Sequence, residues 1–307
     1  MSFQLFTNPL PRMIGTLSTA SRTPSRIDGD AVERVPTCSP QRHAIWRWAL
    51  NCAVLITVLA CVGCGHLGGS KSIGHEKRVL VFSKTLGYRH ASITNGIAAI
   101  QQLGNEHGFD VEATEDSAVF TRENLARFQA VVLLSATGDI LNPEQEAALR
   151  NYVEGGGGFT AIHGAVFGPN ACEDKWAWYG DAFGCAFSNH SAVVLAQVKV
   201  EDPTQPSTRR LPARWSRTDE WYNFTGTPRG QAHVLATVDE STYKGGAMGD
   251  DHPIAWCRRI GKGRMWYTAM GHTESSFSEP LFLKHILGGI QTAAGWKAAD
   301  FSANRKP

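Results

Sequence analysis

Several motifs that identify common enzyme classes are missing from this 307-residue sequence. It has no G-x-S-x-G serine elbow, no Walker A loop, no G-x-G-x-x-G dinucleotide loop and no H-E-x-x-H zinc motif. It also lacks a run of Lys and Arg long enough to neutralise a row of phosphates, and its formal net charge is only +2. Nucleic acid is therefore not an expected partner.

The cysteines do not form a recognisable disulfide framework. Four of the seven fall within the first 64 residues, and the other three, Cys172, Cys185 and Cys257, cannot all pair with one another. None of these three has an adjacent His that would lower the pKa of its thiol, and the body of the chain has no C-x-x-C zinc pair. The cysteines therefore indicate neither a thiol nucleophile nor a zinc ribbon.

The N-terminal part differs in composition from the rest of the chain. Residues 1–42 are rich in Ser, Thr, Pro and Arg, which predicts disorder or an over-long translation start. Residues 43–64 combine a basic patch with an apolar run of about 14 residues, shorter than a membrane span, and this order is typical of an export signal; a buried helix is the alternative.

The apolar run ends in two cysteines that resemble lipoprotein acceptor sites. Cys61 follows Val58-Leu59-Ala60, and Cys64 offers a competing frame, so either thiol is a candidate for lipidation. Residues 65–75 are rich in Gly and Ser and are interpreted as a linker. We therefore expect an exported protein, periplasmic or held as a lipoprotein that meets the membrane only through its anchor.

Apolar runs alternate with helical patterns along the body of the chain, which predicts an α/β fold with a central, mostly parallel sheet. A helix start is indicated at Asn142-Pro143, with Gln145 completing a capping box. Residues 170–190 and 203–230 are interpreted as long irregular segments that cover one edge and carry function. The predicted strands are 78–83, 109–111, 130–134, 159–162, 193–200, 232–238, 254–257 and 264–268.

Ligands of open parallel sheets bind beyond the carboxyl ends of the strands, and histidines occur there. His90 and His163 each follow a predicted strand, while His190 and His272 lie in Ser-, Asn- or Gly-containing turns. Gly164 permits a sharp turn and a close approach to a ligand. Three further histidines, His107, His233 and His285, are interpreted as ordinary structural residues, and His252 as the start of a strand.

Carboxylates and aromatic residues leave two interpretations open. Glu220 is either a site residue or an exposed carboxylate paired with Arg217. The aromatic side chains either fill the core or form a platform for sugar rings. The aromatic residues concerned are Trp176, Trp178, Tyr179, Trp215, Trp221 and Tyr222.

Six short motifs follow one another along the chain: Gly87-Tyr88-Arg89-His90, Gly156-Gly157-Gly158-Phe159, Phe187–His190, Asp219-Glu220-Trp221-Tyr222, His252–Trp256 and Gly263–His272. In this order they resemble the ThuA-like (trehalose utilisation) family over residues 76–295, with 296–307 as a C-terminal tail. The resemblance implies the fold of class I glutamine amidotransferases, a flavodoxin-like three-layer sandwich. His163 stands where those enzymes carry a Cys, so their glutamine chemistry is not expected.

The resemblance also implies a function in disaccharide use, on 3-keto sugars supplied by a partner sugar 3-dehydrogenase. A ketone at C3 acidifies the C2 proton, so acid–base elimination followed by hydration, or isomerisation, needs no nucleophile. The expected catalytic residues are His90, Glu220 and His163. The expected substrate contacts are Tyr88, Asp219, Trp221 and Tyr222. The expected ligands of a divalent metal (Zn, Mn or Mg) are His163, His190 and His272.

Two other functions fit the same residues. The first is a non-catalytic carbohydrate-binding or scaffold protein at the cell surface. The second is an amidase or peptidase-like hydrolase on the same scaffold, which the missing Cys argues against.

Overall fold

The structure, a computed structural model, describes residues 77–167 and 176–305. The predicted disordered segment, export signal, linker and lipidation sites all lie outside these residues. Within the described parts, no helix combines the length and the apolar character needed to cross a membrane.

The described chain alternates strands and helices in its first half and is dominated by strands in its second. The helices are α1 (Ile93–His107), α2 (Arg122–Leu125), α3 (Pro143–Glu154), α4 (Ala177–Phe183) and α5 (Pro280–Ala293). The strands are β1 (Arg78–Phe82), β2 (Asp110–Thr114), β3 (Ala130–Leu134), β4 (Gly158–Ile162), β5 (Ala186–Val200), β6 (Arg214–Thr225), β7 (His233–Asp239), β8 (Pro253–Ile260) and β9 (Gly263–Thr268).

All nine described strands form one mixed sheet in the order β2-β1-β3-β4-β9-β8-β7-β5-β6. The four pairings from β2 to β9 are parallel, and the four from β9 to β6 are antiparallel. The α/β character is as predicted, but the expectation of a mostly parallel sheet is wrong. Short connections such as the one between β8 and β9 permit only antiparallel pairing, because a parallel pair needs a long crossover.

The central parallel strands are buried apolar runs, as strands covered on both faces must be. Every residue of β3 and β4 is buried. The predicted start of α3 is confirmed, because the side chains of Asn142 and Gln145 each accept from the other's backbone N–H at 2.9 Å. Helices α1 and α5 contact each other, as do α2 and α3. The three-layer arrangement stays a prediction.

Strands β5 and β6 correct the interpretation of residues 170–190 and 203–230 as irregular. Strand β5 begins at Ala186, seven residues before the predicted start, and β6 lies wholly inside the second segment. Side chains alternate between buried and exposed from Arg214 to Asp219, but polar residues occupy both faces. A strand whose inward face carries Arg217 and Asp219 does not show the apolar alternation that identifies strands in a sequence.

The segment after α5 packs on the domain as far as the end of the described residues. Trp296 contacts Phe109, with ring centroids 5.2 Å apart. The side chain of Asn304 bonds to the backbone N–H and carbonyl of Val234, at 2.8 and 2.9 Å. Residues 296–305 therefore cover the edge at which β7 begins.

Candidate functional site

The carboxyl ends of β1, β3, β4 and β9 lie at one edge of the sheet because these strands are parallel. His90 lies in the loop after β1, His163 follows β4 directly, and His272 lies four residues after β9. Strand β6 brings Glu220 and Tyr222 to the same place. The sheet thus brings these five polar side chains together in one small volume, which we call the cluster.

His163 is held in a left-handed backbone conformation, with φ of +51°. This conformation is uncommon and costly for a residue with a side chain, and such strain concentrates at functional sites. Nδ1 of His163 lies 2.7 Å from the carbonyl oxygen of Ala269, so Nδ1 donates and Nε2 presents its lone pair. Nε2 in turn lies 2.9 Å from the Tyr222 hydroxyl. The fully buried imidazole is therefore fixed in both tautomer and direction.

Glu220 lies between two imidazoles. Its Oε1 is 3.0 Å from Nδ1 of His190, and its Oε2 is 3.1 Å from Nδ1 of His272 and 3.7 Å from Nε2 of His163. The residue is only 8% exposed. The alternative of an exposed carboxylate paired with Arg217 therefore does not describe Glu220.

His90 packs against two other histidines of the cluster. Its ring packs edge-on against His163 and His272, with centroid distances of 4.6 and 5.4 Å. Its Nδ1 is buried and has no hydrogen-bond partner among the described residues. A Cβ added to Gly164 would lie 2.7 Å from Cε1 of His90, so the glycine makes room for this ring.

Asp219 links two members of the cluster through the backbone. Its carboxylate accepts hydrogen bonds from the N–H groups of Gly271 at 2.8 Å, His272 at 3.0 Å and Glu220 at 3.0 Å. Arg217 balances its charge, with Nη2 3.0 Å from Oδ2. Asp219 was predicted to bind substrate; the structure buries it completely and makes it a support for the turn that carries His272.

A second buried support lies behind Tyr222. Nε2 of His252 lies 2.7 Å from the Tyr222 carbonyl oxygen, and Nδ1 of His252 lies 2.8 Å from Oε1 of Glu240. His252 immediately precedes β8 and is fully buried. Sequence reasoning missed Glu240 altogether, because no local pattern links it to β6.

Burial and neighbouring charge set the protonation of the histidines. Burial, together with the charges of His272 and His190, lowers the pKa of His90 to about 3. Burial, together with the charges of His90 and His272, lowers the pKa of His163 well below its ordinary value. Burial also lowers the pKa of His272, but its hydrogen bond to Glu220 and the charges of Glu220 and Asp219 outweigh this, and the net shift is upward.

Four of these residues have the geometry of a metal site. One ligand atom from each of His90, His163, Glu220 and His272 can be chosen so that all four atoms lie within 4.8 Å of one another. His190, one of the three predicted ligands, lies outside this set and contacts Glu220 instead. Unprotonated imidazoles and a carboxylate are suitable ligands for a divalent transition metal.

The remaining predicted contacts fall into exposed and buried groups. Tyr88 is 51% exposed, and its ring lies 4.8 Å from that of His90, so it borders the cluster. Trp221 is buried, and its indole N–H donates to the carbonyl of Val194. Of the other aromatic candidates, Trp176, Tyr179 and Trp215 are buried and Trp178 is partly buried, which favours packing over a sugar platform.

The described cysteines and the remaining histidines do not join the site. Burial raises the pKa of the Cys185 thiol to about 12, and Cys257 is also buried with a raised pKa. His233 is bonded to Asp202, and His285 is bonded to the carbonyl of Ser207. His107 ends α1, on the exposed surface.

Comparison with known proteins gives one family and a consistent set of folds. The family model ThuA, described as trehalose utilisation, matches residues 78–293. A ThuA-like protein from Bacteroides uniformis ATCC 8492 aligns with a TM-score of 0.62 at 20% identity, covering 75% of this chain and 95% of that one. One from Parabacteroides merdae ATCC 43184 gives 0.60 at 20% identity, covering 73% and 92%. A cytoplasmic protein from Salmonella typhimurium LT2 gives 0.53 at 11% identity, covering 70% and 99%. No curated protein matches the chain.

Proposed function

The chain belongs to the ThuA family of trehalose utilisation, and from this membership and its site geometry we propose that it is a carbohydrate-processing enzyme. Its substrates are disaccharides or glycosides oxidised to the 3-ketone. It cleaves them by elimination and hydration, or isomerises them, through acid–base chemistry. A sugar 3-dehydrogenase acts before it, because the C3 ketone must be made by oxidation of a secondary alcohol.

One observation carries the proposal: the Glu220 carboxylate lies 3.0 and 3.1 Å from two imidazole nitrogens, beside a fixed phenol, in a cluster that has no Cys or Ser. Without a bound metal, the pair formed by Glu220 and His272, 3.1 Å apart, shares a proton and can both give and take one. His163 directly follows β4, and the lone pair of its Nε2 points toward the cluster. This set of groups suits proton transfer.

The residues also fit a divalent metal, for which we assign His90, His163, Glu220 and His272 as the ligands. Nδ1 of His163 donates to a backbone carbonyl, which is the usual outer hydrogen bond of a metal-bound imidazole. Three imidazoles favour Zn or Mn over Mg, which prefers oxygen ligands and retains water. A bound ion would polarise the C3 carbonyl and acidify the proton at C2.

The elimination balances without any other reactant. A base takes the C2 proton, the C1–O bond breaks, and the departing oxygen takes a proton from an acid, leaving a C1=C2 double bond conjugated with the ketone. Water then adds its hydroxyl to C1 and a proton to C2. His190 lies beside Glu220, with Nδ1 3.0 Å from Oε1, and its side chain is 25% exposed, so we assign it the transfer of protons between cluster and solvent.

Substrate enters beside Tyr88, which is exposed at the rim of the cluster. A tyrosine ring offers a flat apolar face on which a sugar ring stacks. The loop that holds it is fixed, because the Tyr88 carbonyl accepts from the Thr137 hydroxyl at 2.7 Å and the Gly87 N–H donates to the Thr137 carbonyl at 3.2 Å. An exposed ring on a fixed backbone loses little entropy when a ligand binds.

The test combines metal analysis with turnover of matched sugars. The purified full chain is measured for metal by elemental analysis and assayed on a 3-keto disaccharide and on the same disaccharide before oxidation. We expect about one metal per chain and cleavage of the keto sugar alone, because only the ketone makes the C2 proton acidic. His163→Ala and Glu220→Gln should lose the metal and at least 100-fold in turnover.

The control is His107→Ala, which changes an exposed histidine at the end of α1 and should keep both properties. Equal binding of both sugars without turnover of either would favour the carbohydrate-binding alternative. Turnover without metal would remove the ion from the proposal and leave Glu220 and His272 as the acid–base pair.

A further inference from the structure

The turn between β8 and β9 carries a concentration of positive charge far from the histidine cluster. Four of the seven residues from Arg258 to Arg264 are cationic. Arg259 pairs directly with Arg264 across the two strands, which places like charges side by side. Burial and the charge of Arg259 both lower the pKa of Arg264.

The guanidinium groups of this turn are bonded to neutral oxygens. Arg264 donates to the carbonyls of Ala293 at 2.8 Å and Gly156 at 3.0 Å. Arg258 donates to the carbonyl of Asp181 at 2.8 Å. Each guanidinium is thus held in position by neutral acceptors.

Further cations extend the patch along the amino edge of the sheet. Arg122 and Arg264 line the same groove, which has a volume of about 660 Å³. Nζ of Lys77 lies 5.4 Å from the Trp296 ring, next to Lys297. We define the basic edge as Lys77, Arg122, Arg258, Arg259, Lys262, Arg264 and Lys297. In the described parts of the chain, no carboxylate lies within 4.0 Å of any of these seven cations.

Carboxylates are present at the same edge but are fewer. The exposed ones are Glu106, Asp110, Glu123, Asp181 and Asp300. The excess of cations is therefore moderate, and attraction to an anionic surface should be strong at low salt and weak at high salt.

The position of the basic edge indicates the kind of surface that it contacts. Strand β1 begins at this edge, so the chain that precedes Lys77 joins the domain here. The predicted lipidation sites, Cys61 and Cys64, lie at most 16 residues before Lys77. By random-coil scaling, 16 residues of Gly-rich chain span roughly 20 Å, so an anchor at either cysteine would hold the basic edge near the bilayer. The histidine cluster, at the opposite edge, then faces solvent.

We propose that the basic edge docks the domain on an anionic lipid surface beside its N-terminal anchor. A cluster of Lys and Arg beside an anchor is attracted to anionic headgroups, by about 1 kcal/mol for each residue near the surface. Docking also orients the domain, because the cations lie at one edge and the histidine cluster at the other. The proposal is independent of the reaction that the cluster catalyses.

Vesicle co-sedimentation of the full chain tests the proposal. Vesicles of phosphatidylcholine with one third phosphatidylglycerol are compared with pure phosphatidylcholine for the parent and for Arg259→Glu/Lys262→Glu. Each basic residue near such a surface contributes about 1 kcal/mol, so losing two should weaken binding to the anionic vesicles about 30-fold or more. Half-molar salt should remove most of the difference.

The matched control is Lys244→Glu/Lys284→Glu, which makes the same change of charge at exposed positions outside the basic edge. It should change binding less than 3-fold, and both variants should keep the parent's thermal midpoint and turnover. Equal weakening by the two variants would overturn the proposal, because net charge alone would then explain binding. So would a patch-dependent affinity for duplex DNA with no difference between the two vesicle types.

Discussion

The carboxylate of Asp219 accepts a hydrogen bond from the backbone N–H of His272, with 3.0 Å between Oδ1 and the nitrogen. The same oxygen accepts from the N–H of Glu220, also at 3.0 Å. One buried side chain thus sets the separation between a turn after β9 and a residue of β6, two elements that are not neighbours in the sheet. The geometry of the cluster depends on this link.

Asp219→Asn should loosen the cluster, although Asp219 bonds to backbone N–H groups and not to the side chains of the cluster. The amide oxygen cannot accept as strongly as the carboxylate from three N–H groups, so His272 and Glu220 should move apart. Loss of a support behind metal ligands typically costs 10- to 100-fold in metal affinity or activity. Metal content after dialysis against a chelator of graded strength, together with turnover, measures the effect.

Arg217 complicates this variant, because it would lose its main buried partner at a cost of about 3 kcal/mol. The double variant Arg217→Met/Asp219→Asn removes both charges and should regain much of the stability lost by Asp219→Asn. It should not regain metal affinity. A double variant with the parent's metal affinity would show that Asp219 contributes only to stability.

Gly164→Ala should damage the cluster by displacing His90. The added methyl group would lie 2.7 Å from Cε1 of that ring, closer than van der Waals contact allows. We expect at least a 10-fold loss of metal affinity and a loss of stability of about 1–3 kcal/mol. Gly180→Ala is the control, because nothing lies within 4 Å of its added Cβ and alanine favours the helix. Equal metal affinity in both variants would contradict the assignment of His90.

The sequence contained enough local pattern to predict the parallel half of the sheet and the histidines at its edge. Buried apolar strands followed by His90 and His163 are features that a reader can see without a structure. The placement of Glu220 was harder to predict, because β6 carries polar residues on both faces and therefore lacks the apolar alternation by which a strand is identified.

Long-range partners account for the rest of what the sequence did not reveal. The bonds from Asp219 to His272 and from His252 to Glu240 join residues whose local patterns are unrelated. His190 was grouped with the metal ligands because all isolated histidines look alike in a sequence. Only the pairing of β5 with β6 places it behind Glu220.

Tyr88→Ala should weaken substrate binding more than it slows the reaction. The ring is exposed and touches the edge of His90, so its loss removes a stacking face and no proton donor. Stacking contributes about 1 kcal/mol, which predicts a KM raised about 5-fold with kcat nearly unchanged. Tyr88→Phe keeps the flat ring and should keep the parent's KM. A fall in kcat with an unchanged KM would place Tyr88 in the chemical step instead.

The stability of the protein should fall in mild acid, and His285 is one identifiable cause. This imidazole is fully buried against Trp266, with Nδ1 2.9 Å from the carbonyl of Ser207. Burial lowers its pKa to about 4, only partly offset by the bond to Ser207, whereas the ordinary value is 6.5. As the pH falls below 6.5 the unfolded chain takes up a proton that the native protein does not, so stability is lost between pH 6.5 and 4. The loss from this group reaches about 3 kcal/mol.

His285→Gln separates this contribution from those of His90 and His163, whose pKa values are also lowered. At pH 7.5 the variant should be less stable than the parent, because glutamine fills the space and replaces the bonds imperfectly. As the pH falls to 4, the difference in the free energy of unfolding should narrow by about 3 kcal/mol, because only the parent has a histidine at position 285 that must stay neutral in the native state. Urea unfolding of both proteins at several pH values between 7.5 and 4 measures the difference. A constant difference across that range would mean that His285 is protonated in the native protein, and the buried neutral state assigned to it would be wrong.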